Sequence, residues 1–86
     1  MNDISFSPIA MKDYMEWQTE DRKTLNKINS LIKDIQRNGP AKGAGKPELL
    51  KHMKAYSRRI DEANRFVYST DENQNIRIIS CKGHYT

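Results

Sequence analysis

The sequence is short of cysteine, of apolar residues and of any long apolar run. One cysteine, Cys81, leaves no partner for an internal disulfide, and a cytosolic (cytoplasmic) setting fits best. No stretch of about 18 apolar residues is present, so no membrane-spanning helix is expected. The start of the chain, Met1 to Phe6, has no basic patch leading into an apolar run, so no secretory signal is read there. Only 36% of the 86 residues are hydrophobic and the mean hydropathy is −0.90. That is core material for one small domain, taken as residues 1–86, with a narrow stability margin. Such a length excludes a doubly wound nucleotide-binding enzyme and a barrel. No G-x-x-x-x-G-K-[ST] string occurs, which excludes a Walker phosphate loop. His52, His84 and Cys81 are the only imidazole or thiol ligands, and none pair at zinc spacing, so neither a metal nor a cofactor is expected.

What is present is charge, unevenly placed. The formal net charge is +4, with 30% of residues charged. Residues 1–37 hold six acids and six bases, whereas residues 42–65 hold seven bases and three acids. The whole excess therefore lies in one segment. A localised basic segment is the footprint of a polyanion partner. For an arbitrary protein a solvated face is the commoner outcome, and charge alone does not separate the two.

The periodicity predicts a compact α+β order. Ile4-Ser5-Phe6 alternates like a short strand. Ser7-Pro8 reads as a helix cap followed by the first helical position. Ala10, Tyr14 and Trp17 then recur on one helical face, which Met11 and Met15 should widen. A second helix is expected from about Thr19, as its cap, to Arg37, with Leu25, Ile28, Leu31, Ile32 and Ile35 as its apolar stripe. Gly39-Pro40 should stop it, with Gly39 in a left-handed position. Residues 39–47 collect three of the four glycines and two of the three prolines, and so read as a loop. Three strands should follow, at Tyr56–Ile60, Arg65–Ser69 and Ile76–Cys81, joined by turns at 61–64 and 71–75 and paired antiparallel. The predicted order is β-α-α-β-β-β: a helical hairpin on one face of a twisted antiparallel sheet, the other face left wet or available to a ligand. Cys81, in an apolar strand, reads as a small core residue.

Cleavage of RNA suits a chain with these residues. RNA carries its own nucleophile, the 2′-hydroxyl. Cleavage needs a base to deprotonate it, a cation for the charge on the phosphoryl oxygens, and an acid for the leaving oxygen. Glu48 stands alone among Lys46, Lys51, His52 and Lys54, Arg65 opens a strand, and His84 lies beside Tyr85 near the C-terminus. Each has an ordinary reading too: Glu48 as a surface salt bridge, His84-Tyr85 as a tail. Composition and spacing leave both readings open.

The string of motifs is more specific. Gly45-Lys46-Pro47-Glu48, Leu50-Lys51-His52, Tyr56-Ser57-Arg58-Arg59-Ile60, Asn64-Arg65-Phe66-Val67-Tyr68 and His84-Tyr85, in this order over nearly the whole chain, resemble the Txe/YoeB family. These are toxins of type II toxin–antitoxin systems in the RelE/ParE superfamily. Asp13-Tyr14 with Trp17, and Lys27-Ile28-Asn29 with Leu31-Ile32, agree as well. The resemblance implies a microbial-RNase-like RelE fold and a ribosome-dependent, metal-independent mRNA interferase. Such an endoribonuclease cuts mRNA in the A site of the 70S ribosome and so inhibits translation. It implies Glu48 as general base, Arg65 as the cation on the scissile phosphate, His84 as general acid and Tyr85 as the neighbour that orients substrate. Lys46, Lys51 and Arg59 would contact RNA. A Phd/YefM-type antitoxin is the implied partner, and a homodimer or a toxin–antitoxin hetero-oligomer is compatible with the family. A ParE-like gyrase-inhibiting toxin and a non-catalytic basic RNA- or DNA-binding module are the competing readings. Departures from the family are local. The stretch between His52 and Ser57 is shorter, Tyr56 stands where Trp is frequent, Ala63-Asn64 replaces a Glu-His pair, and Thr86 follows Tyr85.

Overall fold

Ser7 starts the helical layer as its side chain predicts. In the computed structural model, which describes residues 3–83, its hydroxyl accepts from the Ala10 amide at 3.0 Å and donates to the Ile79 carbonyl at 2.7 Å. One oxygen thus caps a helix and ties it to a strand. The elements are β1 (Ile4–Phe6), α1 (Pro8–Glu20), α2 (Arg22–Asn38), β2 (Glu48–Leu50), β3 (Ala55–Arg59), β4 (Arg65–Thr70) and β5 (Ile76–Ser80).

The helix boundary differs from the expected one. α1 runs through Thr19, whose hydroxyl donates to its own helix at the Glu16 carbonyl. Asp21 is extended and caps α2: one carboxylate oxygen accepts from the Lys23 and Thr24 amides, the other from the Thr24 hydroxyl. An ionised cap also suits the positive helix start better than threonine does. Met11 and Met15 are exposed rather than part of the inward face. α1 turns Ala10, Asp13 and Trp17 inward, and both methionines lie outside that narrow stripe. Gly39 ends α2 at φ 87°, its amide donating to the Ile35 carbonyl.

The five strands form one sheet in the order β1-β5-β4-β3-β2. β2 through β5 are antiparallel neighbours, as the short turns require, but β1 pairs parallel to β5 (Ile4↔Ile76, Phe6↔Ile78). β1 leads into the helical hairpin and has no turn-linked partner, so nothing forces it antiparallel. β2, just beyond the expected loop and without an alternating pattern, adds the opposite edge. Helix side chains Ile28, Leu31 and Ile35 pack against Phe66, Tyr68, Ile76 and Ile78 on one sheet face. Each such buried side chain contributes about 1.5–3 kcal/mol by leaving water. Among the described residues, the other face carries a small cluster of Leu50, Ala55 and Val67, with Ile79 against it, and no helix covers it.

α1 is also bolted to the end of β5. Trp17 Nε1 donates to the Cys81 carbonyl at 2.8 Å, and the Cys81 amide donates to Asp13 at 3.1 Å. Asp13 is the buried carboxylate of α1 because this amide needs an acceptor. Among the described residues, no helix is long and apolar enough to cross a membrane.

Candidate active site

Strand alternation decides which residues share the uncovered face. Leu50, Ala55 and Val67 mark that face, so Glu48 on β2, Ser57 and Arg59 on β3 and Arg65 on β4 join it by the period of two. The register then sets them in a patch. Glu48 lies directly across from Ser57, Ser57 across from Val67, and Arg59 across from Arg65. Directly opposed Cα atoms lie about 4.5–5.5 Å apart, and diagonal neighbours such as Glu48 and Arg59 about 7–8 Å. A single carboxylate therefore stands diagonal to the Arg59 guanidinium, with Arg65 one strand further across the same face. Glu48 and Arg59 are exposed and Arg65 is half-buried.

The loop before β2 delivers Glu48 to this patch. Arg58, the inward neighbour of Arg59, is wholly buried. Its Nε donates to the Tyr68 hydroxyl at 2.8 Å. One terminal nitrogen donates to Asp34 and to the Ala44 carbonyl, the other to the Gly39 and Lys42 carbonyls. Asp34 also accepts from the Ala44 amide at 3.0 Å, and the Tyr68 hydroxyl donates to the Pro40 carbonyl at 2.6 Å. Residues 39–44 are thus wrapped around one cation. The Arg58 guanidinium holds the Asp34 carboxyl below its ordinary value, and burial pushes the Tyr68 hydroxyl up. The Gly45 carbonyl then accepts from the Arg59 amide at 2.7 Å, and Lys46, exposed at φ 53°, turns the chain into β2.

A second set of contacts brings the chain's far end to Arg65. The Arg65 amide donates to the Gly83 carbonyl at 3.0 Å, and the Gly83 amide donates to the Asn64 side chain at 2.7 Å. Asn64 in turn donates to Asp61, which also accepts from the Ala63 and Asn64 amides. The expected acid His84 and its neighbour Tyr85 lie outside the described residues. The described chain ends at Gly83, beside Arg65.

Of the remaining expected RNA contacts, Lys46 and Arg59 are exposed near Glu48. Lys51 is exposed in the β2–β3 turn. It lines a cavity of about 480 Å³ with Leu49, His52, Met53, Lys54 and Tyr56. That turn and Arg59 sit at opposite ends of β3, roughly 13 Å apart along the strand. The structure therefore groups Glu48, Arg59, Arg65 and Lys46 and sets Lys51 aside. Two bases of the C-terminal half are committed to ion pairs, one internal and one at the surface. Arg58 pairs with Asp34, and Lys82 bridges Glu16 and Glu20 over the Trp17 ring. Asn64 and Arg58 are the residues the sequence reading undervalued. The signal available for Arg58 was its place two residues after Tyr56, on the same face of an alternating strand.

Burial, with Asp13 beside it, pushes the Cys81 thiol up to about 12, which keeps it a neutral core atom. Among the described residues, no three His, Cys, Asp or Glu side chains are grouped to hold a metal ion.

The fold and the patch define a class: a small α+β domain with helices on one sheet face and a lone carboxylate among cations on the other. Comparison with known proteins narrows it. Residues 6–85 match the family described as YoeB-like toxin of bacterial type II toxin–antitoxin system. The chain is 45% identical over 84 residues to Toxin YoeB of Escherichia coli K12, covering 95% of this chain and 98% of that one. Two Staphylococcus aureus structures are similar throughout. One is a heterotetrameric YoeB–YefM toxin–antitoxin complex (49% identity, TM-score 0.89, 99% of both chains), the other a YoeB dimer (49%, 0.91, 98% of both). The chain belongs to the YoeB family of type II toxin–antitoxin toxins.

Proposed function

We propose that this toxin is a ribosome-dependent endoribonuclease that cuts mRNA in the A site by 2′-hydroxyl attack and so stops translation. The observation that carries the reading is the register that sets Glu48, Arg59 and Arg65 on one uncovered sheet face. Family membership and the resemblance of the site motifs support it. Glu48 takes the proton from the 2′-hydroxyl. The oxygen attacks the adjacent phosphorus, and Arg65, with Arg59 beside it, faces the growing charge on the phosphoryl oxygens. His84 protonates the leaving 5′-oxygen, with Tyr85 orienting the substrate. The products are a 2′,3′-cyclic phosphate and a free 5′-hydroxyl. Lys46 and Lys51 contribute phosphate contacts, and no cofactor enters any step. The partner is a Phd/YefM-type antitoxin, in a hetero-oligomer of the kind seen for the S. aureus relative, and the free toxin forms a dimer in the cytoplasm.

The test is translation of a defined mRNA in vitro with the purified toxin, followed by mapping of 5′ ends. Cuts inside ribosome-occupied codons, unaffected by a chelator, are expected. Glu48→Ala, Arg65→Ala and His84→Ala should each slow them roughly 100- to 10,000-fold. Intact mRNA with damaged DNA in growth-arrested cells would point instead to gyrase. RNA binding without any cut would point to a non-catalytic module.

A further inference from the structure

Ser57 is wholly buried, yet its hydroxyl finds no hydrogen-bond partner among the described residues. Buried hydroxyls are nearly always paired, and leaving one unpaired costs free energy, so an orphan in the middle of a strand needs a reason. Its position supplies one. Ser57 lies on the uncovered face, with Glu48 directly across on β2 and Val67 across on β4. Along its own strand the next residues on that face are Ala55 and Arg59. Among these four neighbours, only Glu48 has a side chain that accepts a hydrogen bond. Opposed Cβ atoms lie about 4.5–5.5 Å apart, a span the glutamate stem covers.

We propose that Ser57 is a positioning residue for Glu48. In the complex with RNA its hydroxyl donates to one oxygen of the Glu48 carboxylate. The other oxygen is then left directed at the 2′-hydroxyl, on the side of Arg65. A neutral donor on a charged acceptor makes a strong bond once water is excluded. Catalytic hydrogen bonds that are open in the free enzyme commonly close in the substrate complex. The proposal rests on Glu48 being the general base.

Ser57→Ala separates this role from a structural one, because it deletes an unpaired polar atom and introduces no bulk. Single-turnover cleavage on programmed ribosomes and urea unfolding of the same full-length proteins are the two measurements. The expected result is stability equal to or above that of the parent, with the cleavage rate at saturating ribosomes at least about tenfold lower. The half-saturating ribosome concentration should not change. In a Glu48→Ala background, Ser57→Ala should cost nothing further. An unchanged rate in Ser57→Ala, a loss of stability matching the loss of rate, or a full additional loss in the Glu48→Ala background would each overturn the proposal. The underlying reading fails separately, by full-rate cleavage in Glu48→Ala alone.

Discussion

At the scale of single residues, the decisive pair is Arg58 and Asp34. They join the basic half of the chain to the neutral half through the core edge, with Arg58 wholly inaccessible and the Asp34 side chain 20% exposed. Removing one partner of a buried pair leaves the other charge uncompensated, at a cost of about 3–5 kcal/mol. Asp34→Asn should fall at the lower end of that range at neutral pH, since solvent reaches Asp34. The pH dependence has a definite sign. Arg58 holds the Asp34 carboxyl below its ordinary 3.8. Its contribution is therefore fully present above that value and lost as the pH falls through the lower folded-state value. Urea unfolding at pH 7 and again below pH 3.8 should show the gap between parent and Asp34→Asn closing in acid. A gap that persisted unchanged in acid would contradict it. In the sequence Arg58 looked like one more surface base, because Ser57 and Arg59 flank it and neither is apolar. Alternation requires Arg58 and Arg59 to face opposite ways, but only the helix packed above the sheet decides which of them is enclosed. Asn64 was hidden differently: its value lies in holding Gly83, nineteen positions away, and no local pattern marks such a contact.

At the scale of elements, the loop of residues 39–47 shows how backbone conformation governs the site. Gly45 has φ +81°, and a Cβ there would meet the Arg59 carbonyl oxygen at 3.0 Å and Arg58 Cβ at 3.1 Å. Both are rigid atoms of β3. Gly45→Ala should therefore destabilise the fold by about 1–3 kcal/mol and displace Lys46 and Glu48 with it. Thermal unfolding and cleavage should fall together, which distinguishes this substitution from Ser57→Ala. The helices and the three long strands were readable from capping residues and periodicity. The exchange of Thr19 for Asp21 as cap was not, because both are good caps and the choice rests on a single extended residue between the helices. β2 was not readable either. Glu48-Leu49-Leu50 does not alternate as the equally short Ile4-Ser5-Phe6 does, and the strand exists because β3 offers it an edge.

At the scale of the whole molecule, the proposed contact with RNA is left to the basic surface that remains after Arg58 is committed to an internal pair and Lys82 to a surface bridge with Glu16 and Glu20. Binding to ribosomes should weaken linearly in log–log form as salt rises, through release of counterions. Arg59→Ala should reduce that slope by about one, whereas Arg58→Met, if folded, should leave it unchanged because Arg58 meets no solvent. Equilibrium binding over a salt series measures both. The excluded classes, the helical hairpin, the core stripe, the family and the chemistry of the candidate residues are all legible in the bare chain. Those depend on residue type and short-range periodicity, which the chain carries locally. Folding in three dimensions was needed to set β1 parallel beside β5, to make one of two adjacent arginines internal, and to bring Glu48 and Arg65 onto one face. Each of these depends on strand register and on which face the helices cover, and both are settled by contacts between segments far apart in the chain.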